Sequence, residues 1–327
     1  MADMTAVPAD AIDYDPYNPA ITRDPYPVYR RLRDEAPLYY NAQHDFYAVS
    51  RYDDVERGLA DRETFISGRG NVLEFIKSGV PMPPGIVVGE DPPTHTIHRS
   101  LMARVFTPRK VSALEPMIRR YCGELLDRLV GERHFDLIAD FASPMPMRVI
   151  STLMGIPETD QVSIRDMSNN NMRTTSGRGM RINEKNMQLG AAFADYIDWR
   201  TDHPSDDIMT DLLNAEFEDE TGARRRLSRR ELLTYVHVIA GAGNETSARL
   251  IGWIAKVLAD HPDQRRELVQ HRELIPNAVE EILRFENPAP HTARCVAHDV
   301  DIHGTSVPAG AAIIMINGAA NRDERRY

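Results

Sequence analysis

Apolar residues along this chain recur mostly at three- and four-residue spacing, the pattern of helices that bury one face. The spacing predicts helices over residues 27–33, 52–60, 111–129, 147–154, 161–167 and 186–203. Asp91-Pro92-Pro93 opens a further helix, with Asp91 as its cap and Pro92 at its first position. Ser228 and Glu231 form a capping box before the longest apolar run, which Pro262 ends. Pro276 opens another helix, and Asn287-Pro288 closes it. Residues 67–90 are rich in Gly and Pro and read as a loop with one helical turn at 72–77. Strands are expected at 46–50, 299–302 and 311–316, the last two around the turn Val307-Pro308-Ala309-Gly310. The class is mainly α with small β-sheets (α+β).

The longest helix carries an anomaly. Apolar residues run over 232–239 and 250–258, and between them lies Ala242-Gly243-Asn244-Glu245-Thr246. A helix apolar nearly all round belongs in the centre of a large protein. Buried Asn244 and Glu245 then cost several kcal/mol unless paired, and Gly243 costs about 1 kcal/mol of helix propensity. Breaks in local consistency of this kind mark functional sites.

Composition narrows the possibilities. The 327 residues carry a net charge of -10, which argues against a general nucleic-acid binder. Cys122 and Cys295 make neither a disulfide framework nor a zinc motif, as expected in a reducing cytoplasm. The start is acidic and proline-rich without an apolar signal core, and no apolar run is long enough for a membrane anchor. Without repeats or a linker, residues 1–327 read as a single domain.

Three pairs of residues offer chemistry. His95 and Arg99 stand four apart on one helix face and suit carboxylates or phosphates; a solvated face with His98 and Arg104 explains the same spacing. Glu281 and Arg284 share a face of a helix that Ile282, Leu283 and Phe285 imply is largely buried, where an ion pair can fix an arrangement; a surface pair is the alternative. Glu245 and Thr246 suit proton delivery, while Ala242 and Gly243 let another body approach the backbone. Against this, Glu245 can pair with Arg249, and Thr246 can bond back to the carbonyl of residue 242.

These elements occur together and in order, and the combination resembles the bacterial cytochrome P-450 family of haem-thiolate monooxygenases. The matching segments are Asp24-Pro25-Tyr26-Pro27, Ser50-Arg51-Tyr52-Asp53-Asp54-Val55, the run from Asp91 to Arg99, and Phe106-Thr107-Pro108-Arg109. They continue with Ala242 to Thr246, Glu281-Ile282-Leu283-Arg284, Pro288 with Arg294, Val307 to Gly310, and Ala319-Ala320-Asn321-Arg322-Asp323.

The resemblance implies haem b, with His95, Arg99 and Arg294 holding its propionates. It implies that Ala242, Gly243, Glu245 and Thr246 line the oxygen side of the iron, where the acid and alcohol guide protons. Glu281 and Arg284 match a pair that supports the haem-thiolate loop. That loop, with its iron-ligating cysteine and a last helix, is expected beyond Tyr327, so the chain reads as C-terminally incomplete. Neither Cys122 nor Cys295 matches the ligand, and both read as packing residues.

The activity implied is hydroxylation of a small apolar substrate with dioxygen, with electrons from a ferredoxin-type donor and its reductase. A truncated remnant that binds an apolar ligand or haem weakly is the alternative. Substrate contacts are expected from 65–88, 167–193, Val238 to Ala242, and Pro290 with His291, and 169–187 reads as a lid. Phe75, Ile76, Val80, Met82, Ile86, Val87 and Val88 either contact an apolar ligand or pack the loop down. Arg104, Arg109, Lys110, Arg119 and Arg120 form a basic docking patch or a solvated helix face.

Overall fold

The computed structural model describes residues 12–161, 179 and 193–327. The chain divides into two compact units. One is built from Met1–Gly79, Thr174–Arg181 and Ala289–Tyr327, the other from Val80–Arg173 and Ile182–Pro288. Labels below follow chain order. The expected helix at 161–167, most of the substrate segment 167–193 and nearly all of the lid 169–187 lie outside the described residues.

The first unit is built around a five-stranded sheet. Its strands are β1 (Leu38–Asn41), β2 (Phe46–Val49), β3 (Phe65–Ile66), β6 (Thr292–Val296) and β9 (Ala312–Met315), in the order β1-β2-β9-β6-β3. Only β2 and β9 pair in parallel, with Tyr47 opposite Ile313 and Val49 opposite Met315. Every residue of β9 is buried, which accounts for its unbroken apolar run.

The expected strand at 311–316 is thus present, but its partners are β2 and β6. The strand at 299–302 instead pairs, as β7 (Val300–Ile302), with β8 (Thr305–Val307) in a separate ribbon. His303 and Gly304, both at positive φ, turn that ribbon. Strand β8 has three residues, too short for its alternation to register.

Helices α1 (Pro19–Arg23), α2 (Tyr26–Glu35), α3 (Tyr52–Ala60), α4 (Leu73–Ser78) and α14 (Asn317–Ala320) complete this unit. Leu32, Phe46, Ala48, Ile314, Ile316 and Ala319 meet in its core. The closing residues are pinned by polar contacts. Asp323, 1% exposed, accepts the Tyr52 N–H at 2.9 Å and a 2.9 Å bond from Arg325. Glu324 accepts from Arg30 and Arg33, each at 3.0 Å, and buried Arg33 also donates to the Ala319 carbonyl at 3.1 Å.

The second unit is mostly helical. Its helices are α5 (Thr94–Val105), α6 (Pro108–Ser112), α7 (Glu115–Asp127), α8 (Pro144–Leu153), α9 (Ala194–Asp202), α10 (Ile208–Asn214), α11 (Arg229–Asp260), α12 (Pro262–Gln270) and α13 (Ile275–Phe285). A π-turn at Ile138–Ala142 precedes α8, and β4 (Glu216–Glu218) pairs with β5 (Arg224–Arg226) in a hairpin.

The capping box is present: the Glu231 N–H donates to Ser228 Oγ, and the Ser228 N–H donates to the Glu231 carboxylate at 2.7 Å. At 32 residues α11 is about 48 Å long and runs without a break through residues 242–246. Three expectations need correction. The first helical position is not Pro92: α5 begins at Thr94 behind Pro93, with the Asp91 carbonyl accepting the His95 N–H. The stretch 111–129 is two helices, parted at Ala113-Leu114.

Burial of α11 also stops at Ala248. Beyond it, Ile254 and Leu258 join Leu268, Val269, Ile275 and Ile282 around an open groove of about 290 Å³. Only Ile282 of α13 is buried, so that helix is amphipathic, with far less covered than its apolar residues suggested.

The anchored carboxylates give the first unit a pH dependence. Burial opposes ionisation of Asp323, but the Tyr52 and Arg325 donors hold its carboxyl below the usual range. Its own N–H and the Arg30 and Arg33 guanidiniums hold Glu324 down to about 2. Groups depressed on folding stabilise fully above the ordinary carboxylate range, and that contribution is lost as pH falls toward about 2. Asp323→Asn is expected to cost about 1–3 kcal/mol at neutral pH and to flatten the acid limb of a thermal-unfolding series followed by circular dichroism.

Candidate active site

Helix α11 has one open stripe along an otherwise covered middle. Val238 is half-buried, whereas Ala242, Glu245, Thr246 and Arg249 are exposed. At about 100° per residue these five fall within roughly 100° of one another around the axis. Asn244 and Ala248, on the opposite side, are buried. The acid expected to be buried is therefore exposed, and the amide is the buried polar group. Asn244 Oδ1 has no hydrogen-bond partner among the described residues.

Glu245 and Arg249 form an ion pair, and Arg249 also donates to the Pro288 carbonyl at 3.3 Å. The Thr246 hydroxyl donates to the Ala242 carbonyl at 2.9 Å. Both local alternatives open at the sequence level are thus realised, on a stripe that still faces outward. The close approach at Gly243 is different from the one expected: a Cβ there would meet Ile150 Cδ1 at 2.6 Å, so this glycine admits α8. At Gly241 a Cβ would meet nothing within 4 Å.

Helix α5 carries His95 and Arg99 about 40° apart around its axis. His95 is half-buried and Arg99 exposed. Among the described residues no carboxylate pairs with either. His98, in contrast, is 2% exposed, with Nδ1 2.9 and 2.8 Å from the two Glu90 oxygens. The polar-face reading that grouped His98 with Arg104 therefore holds for Arg104, which donates to the Glu216 carbonyl at 3.1 Å, but not for His98. The spacing of His98 alone did not distinguish a buried imidazole from an exposed one.

Glu281 and Arg284 are paired through both guanidinium edges, at 2.8 and 2.5 Å, and this holds the Glu281 carboxyl below its usual value. In the first unit, Arg294 sits on β6 opposite Ile313 and donates to the Ala293 carbonyl at 3.0 Å. Pro290 and His291 lead into that strand. Asn317, which sequence reasoning missed, clamps their turn by donating to the Ala289 carbonyl at 3.2 Å and to Thr292 Oγ1 at 3.1 Å.

Within 65–88, Ile76, Ile86 and Val87 are buried packing residues, whereas Val88 is exposed. The basic face is largely neutralised locally: Lys110 pairs with Asp211, Arg119 with Glu115 and Arg120 with Glu124.

A family model described as Cytochrome P450 matches residues 179–327. Putative cytochrome P450 123 of Mycobacterium bovis is 34% identical over 317 residues, which are 96% of this chain and 78% of that protein. The beta-dihydromenaquinone-9 omega-hydroxylase of Mycobacterium tuberculosis is 33% identical over 322 residues, 96% of this chain and 63% of that protein. Among solved structures, cytochrome P450 CYP109Q5 from Chondromyces apiculatus matches with a TM-score of 0.83 at 32% identity, over 97% of this chain and 79% of its own.

The chain belongs to the cytochrome P450 family, and the mainly helical fold with small sheets is that family's fold. Its members are monooxygenases that bind haem b. No described helix is long and apolar enough to cross a membrane.

The donor set fits one part of that cofactor and lacks another. Two basic side chains without a described carboxylate partner suit the acidic edge of a porphyrin, and the open stripe of α11 suits an apolar ligand beside a proton-handling pair. The cysteines do not suit an iron ligand. Cys295 is buried on β6 with its thiol toward the Val296 carbonyl, at 3.8 Å, and partial burial raises the Cys122 thiol pKa, away from thiolate.

The two glycines of α11 give opposite expectations. Gly241→Ala should stabilise by about 1 kcal/mol through helix propensity, whereas Gly243→Val should destabilise by about 1–3 kcal/mol by overpacking against Ile150. Urea unfolding of the two variants reads both; a neutral Gly243→Val would refute the close approach of α8.

Proposed function

We propose that this chain carries the propionate-gripping and oxygen-side residues of a cytoplasmic haem-dependent monooxygenase that hydroxylates a small apolar substrate, and that its two units belong to one domain. The observation that carries this is the open stripe Val238, Ala242, Glu245 and Thr246 on a helix whose other residues from Glu231 to Ala248 are buried or half-buried. Haem, when bound through a thiolate, supplies dioxygen activation and oxygen transfer into a C–H bond.

The residues of this chain hold and orient. His95, Arg99 and Arg294 hold the two carboxylates, because carboxylates in an apolar pocket need charge-assisted donors. Ala242, with no bulk beyond a methyl group, keeps the oxygen side accessible, while Gly243 beside it lets α8 pack close. Thr246 Oγ is the near proton donor and Glu245 its source. Thr246 must first release the Ala242 carbonyl, and Glu245 must part from Arg249. Val238, Pro290 and His291 contact the substrate. Glu281 and Arg284 support the thiolate loop of a longer chain. Electrons come from a ferredoxin-type protein and its reductase; with Lys110, Arg119 and Arg120 locally paired, its docking depends on Arg109 more than on the whole basic run.

A second reading, a non-catalytic chain that binds haem or an apolar ligand weakly, is favoured by the surroundings of Cys122 and Cys295. Titration of the purified chain with haemin tests the first reading. Arg99→Ala and Arg294→Ala should each weaken binding about tenfold, the range for losing a charge-assisted hydrogen bond. Unchanged affinity in both rejects the propionate assignment. The reduced, carbon monoxide-treated complex of these 327 residues should lack the red-shifted Soret band of thiolate ligation; its appearance rejects the second reading.

A further inference from the structure

His98 is buried between two haem-facing candidates, yet neither the propionate grip nor the proton path uses it. Its Nδ1 proton is shared by both oxygens of Glu90, at 2.9 and 2.8 Å. Glu90 Oε1 is fixed in turn by the Gly85 N–H at 2.7 Å. Gly85 stands at φ +95°, and a Cβ there would lie 3.0 Å from Tyr235 Cδ2 of α11, so this turn is held against the central helix. Two aromatic edges complete the socket. The imidazole meets Tyr235 at 5.4 Å and 82°, and Phe217 of β4 at 6.2 Å and 76°.

Phe217 is itself held. Arg225 lies over its ring at 4.6 Å and forks onto Glu231, the capping residue of α11, at 2.8 and 2.9 Å. Thr94, at the start of α5, donates to Glu220 in the same hairpin at 2.7 Å. The socket around His98 thus ties α5 to the first turns of α11 and to the hairpin between them in sequence.

A buried ion pair is weak evidence for stability, because desolvation consumes most of the attraction. What such a pair does well is fix an arrangement. At about 100° per residue, His98, Leu101 and Val105 form the buried side of α5, and that side lies roughly a quarter-turn from the His95 and Arg99 face. Leu101 and Val105 pack without direction, whereas a hydrogen-bonded imidazole tolerates little rotation of the helix.

We propose that His98, held by Glu90 between Tyr235 and Phe217, is a positioning residue that sets the rotation of α5 and thereby aims His95 and Arg99 at the haem carboxylates. This rests on the haem reading given above. An aliphatic residue of similar size fills the socket but leaves the helix free to turn and leaves Glu90 buried without its partner.

The test is a titration of the purified chain and its variants with haemin and with haemin dimethyl ester, which has no carboxylates, alongside thermal unfolding. His98→Leu should bind haemin about tenfold more weakly, the scale on which outer partners act on ligating side chains, while affinity for the ester stays within about twofold. His98→Gln, which keeps a donor, should recover much of the loss. Glu90→Gln removes the charge from the same contact and carries the test if His98→Leu does not fold; it too should lose haemin and spare the ester. Equal loss of both ligands, or no loss of either, overturns the positioning role. If Arg99→Ala also fails to discriminate haemin from the ester, or the unsubstituted chain binds neither, the haem-edge reading itself falls.

Discussion

The second unit depends on one constraint: α11 must bury its first five turns and still keep a stripe open at its middle. Burial is supplied from the sides. Gly243 and Gly252 have no side chain where Ile150 and Ile138 press closest, so α8 and the π-turn before it lie against the helix backbone. The start is fixed by the capping box and by Arg225 on Glu231. Burial opposes ionisation of Glu231, but Arg225 and Ser228 hold its carboxyl down to about 2, so it stays charged throughout the physiological range. With one end capped and one flank packed, the unpacked side is where a ligand can lie. Which side of this helix stays open is thus a consequence of which flank the glycines hand to neighbouring helices.

Polar groups on the helix then divide by that geometry. Glu245 and Thr246 stand on the open stripe and satisfy themselves locally, one with Arg249 and one with the carbonyl four residues back. Each bond is weak enough to exchange, since exposed pairs contribute about 1 kcal/mol or less. A relay built from permanently engaged buried groups would not have that freedom. Of the two groups to which sequence reasoning assigned a desolvation cost, only Asn244, facing the packed side, bears it.

Much of this was legible in the chain. Ser228 with Glu231, Pro262 and the apolar run located the central helix almost to the residue, because capping chemistry is local. Residues 52–60 matched on their helical apolar spacing, without a side-chain cap. What was not legible is tertiary. The partners of β9 lie more than 260 residues away and about 20 residues upstream, and no periodicity encodes that choice. The three-residue strands β4, β5 and β8 were too short for alternation to register. At the site, spacing put His95 and Arg99 on one face, but it could not tell that His98 is the buried member of the trio. Glu90, eight residues earlier and across a turn, decides that. Apolar content likewise overstated burial in α13, whose Glu281–Arg284 pair is real but largely solvated.

The placement of the cysteines bears on chemistry more directly than any of the matched motifs. A thiolate that ligates iron needs a site that favours its charge, from nearby donors or a helix N-terminus. Cys295 lies in a buried strand of an apolar sheet, its thiol near a backbone carbonyl oxygen that repels a thiolate. Partial burial raises the Cys122 pKa despite nearby Arg119. The Cys122 sulfur is therefore suited to staying protonated. Neither placement thus offers the site that an iron-ligating thiolate needs. On the haem reading proposed above, holding the porphyrin and activating it for oxygen transfer therefore place separate demands: the first rests on basic side chains, and the second on a thiolate that neither cysteine's surroundings favour.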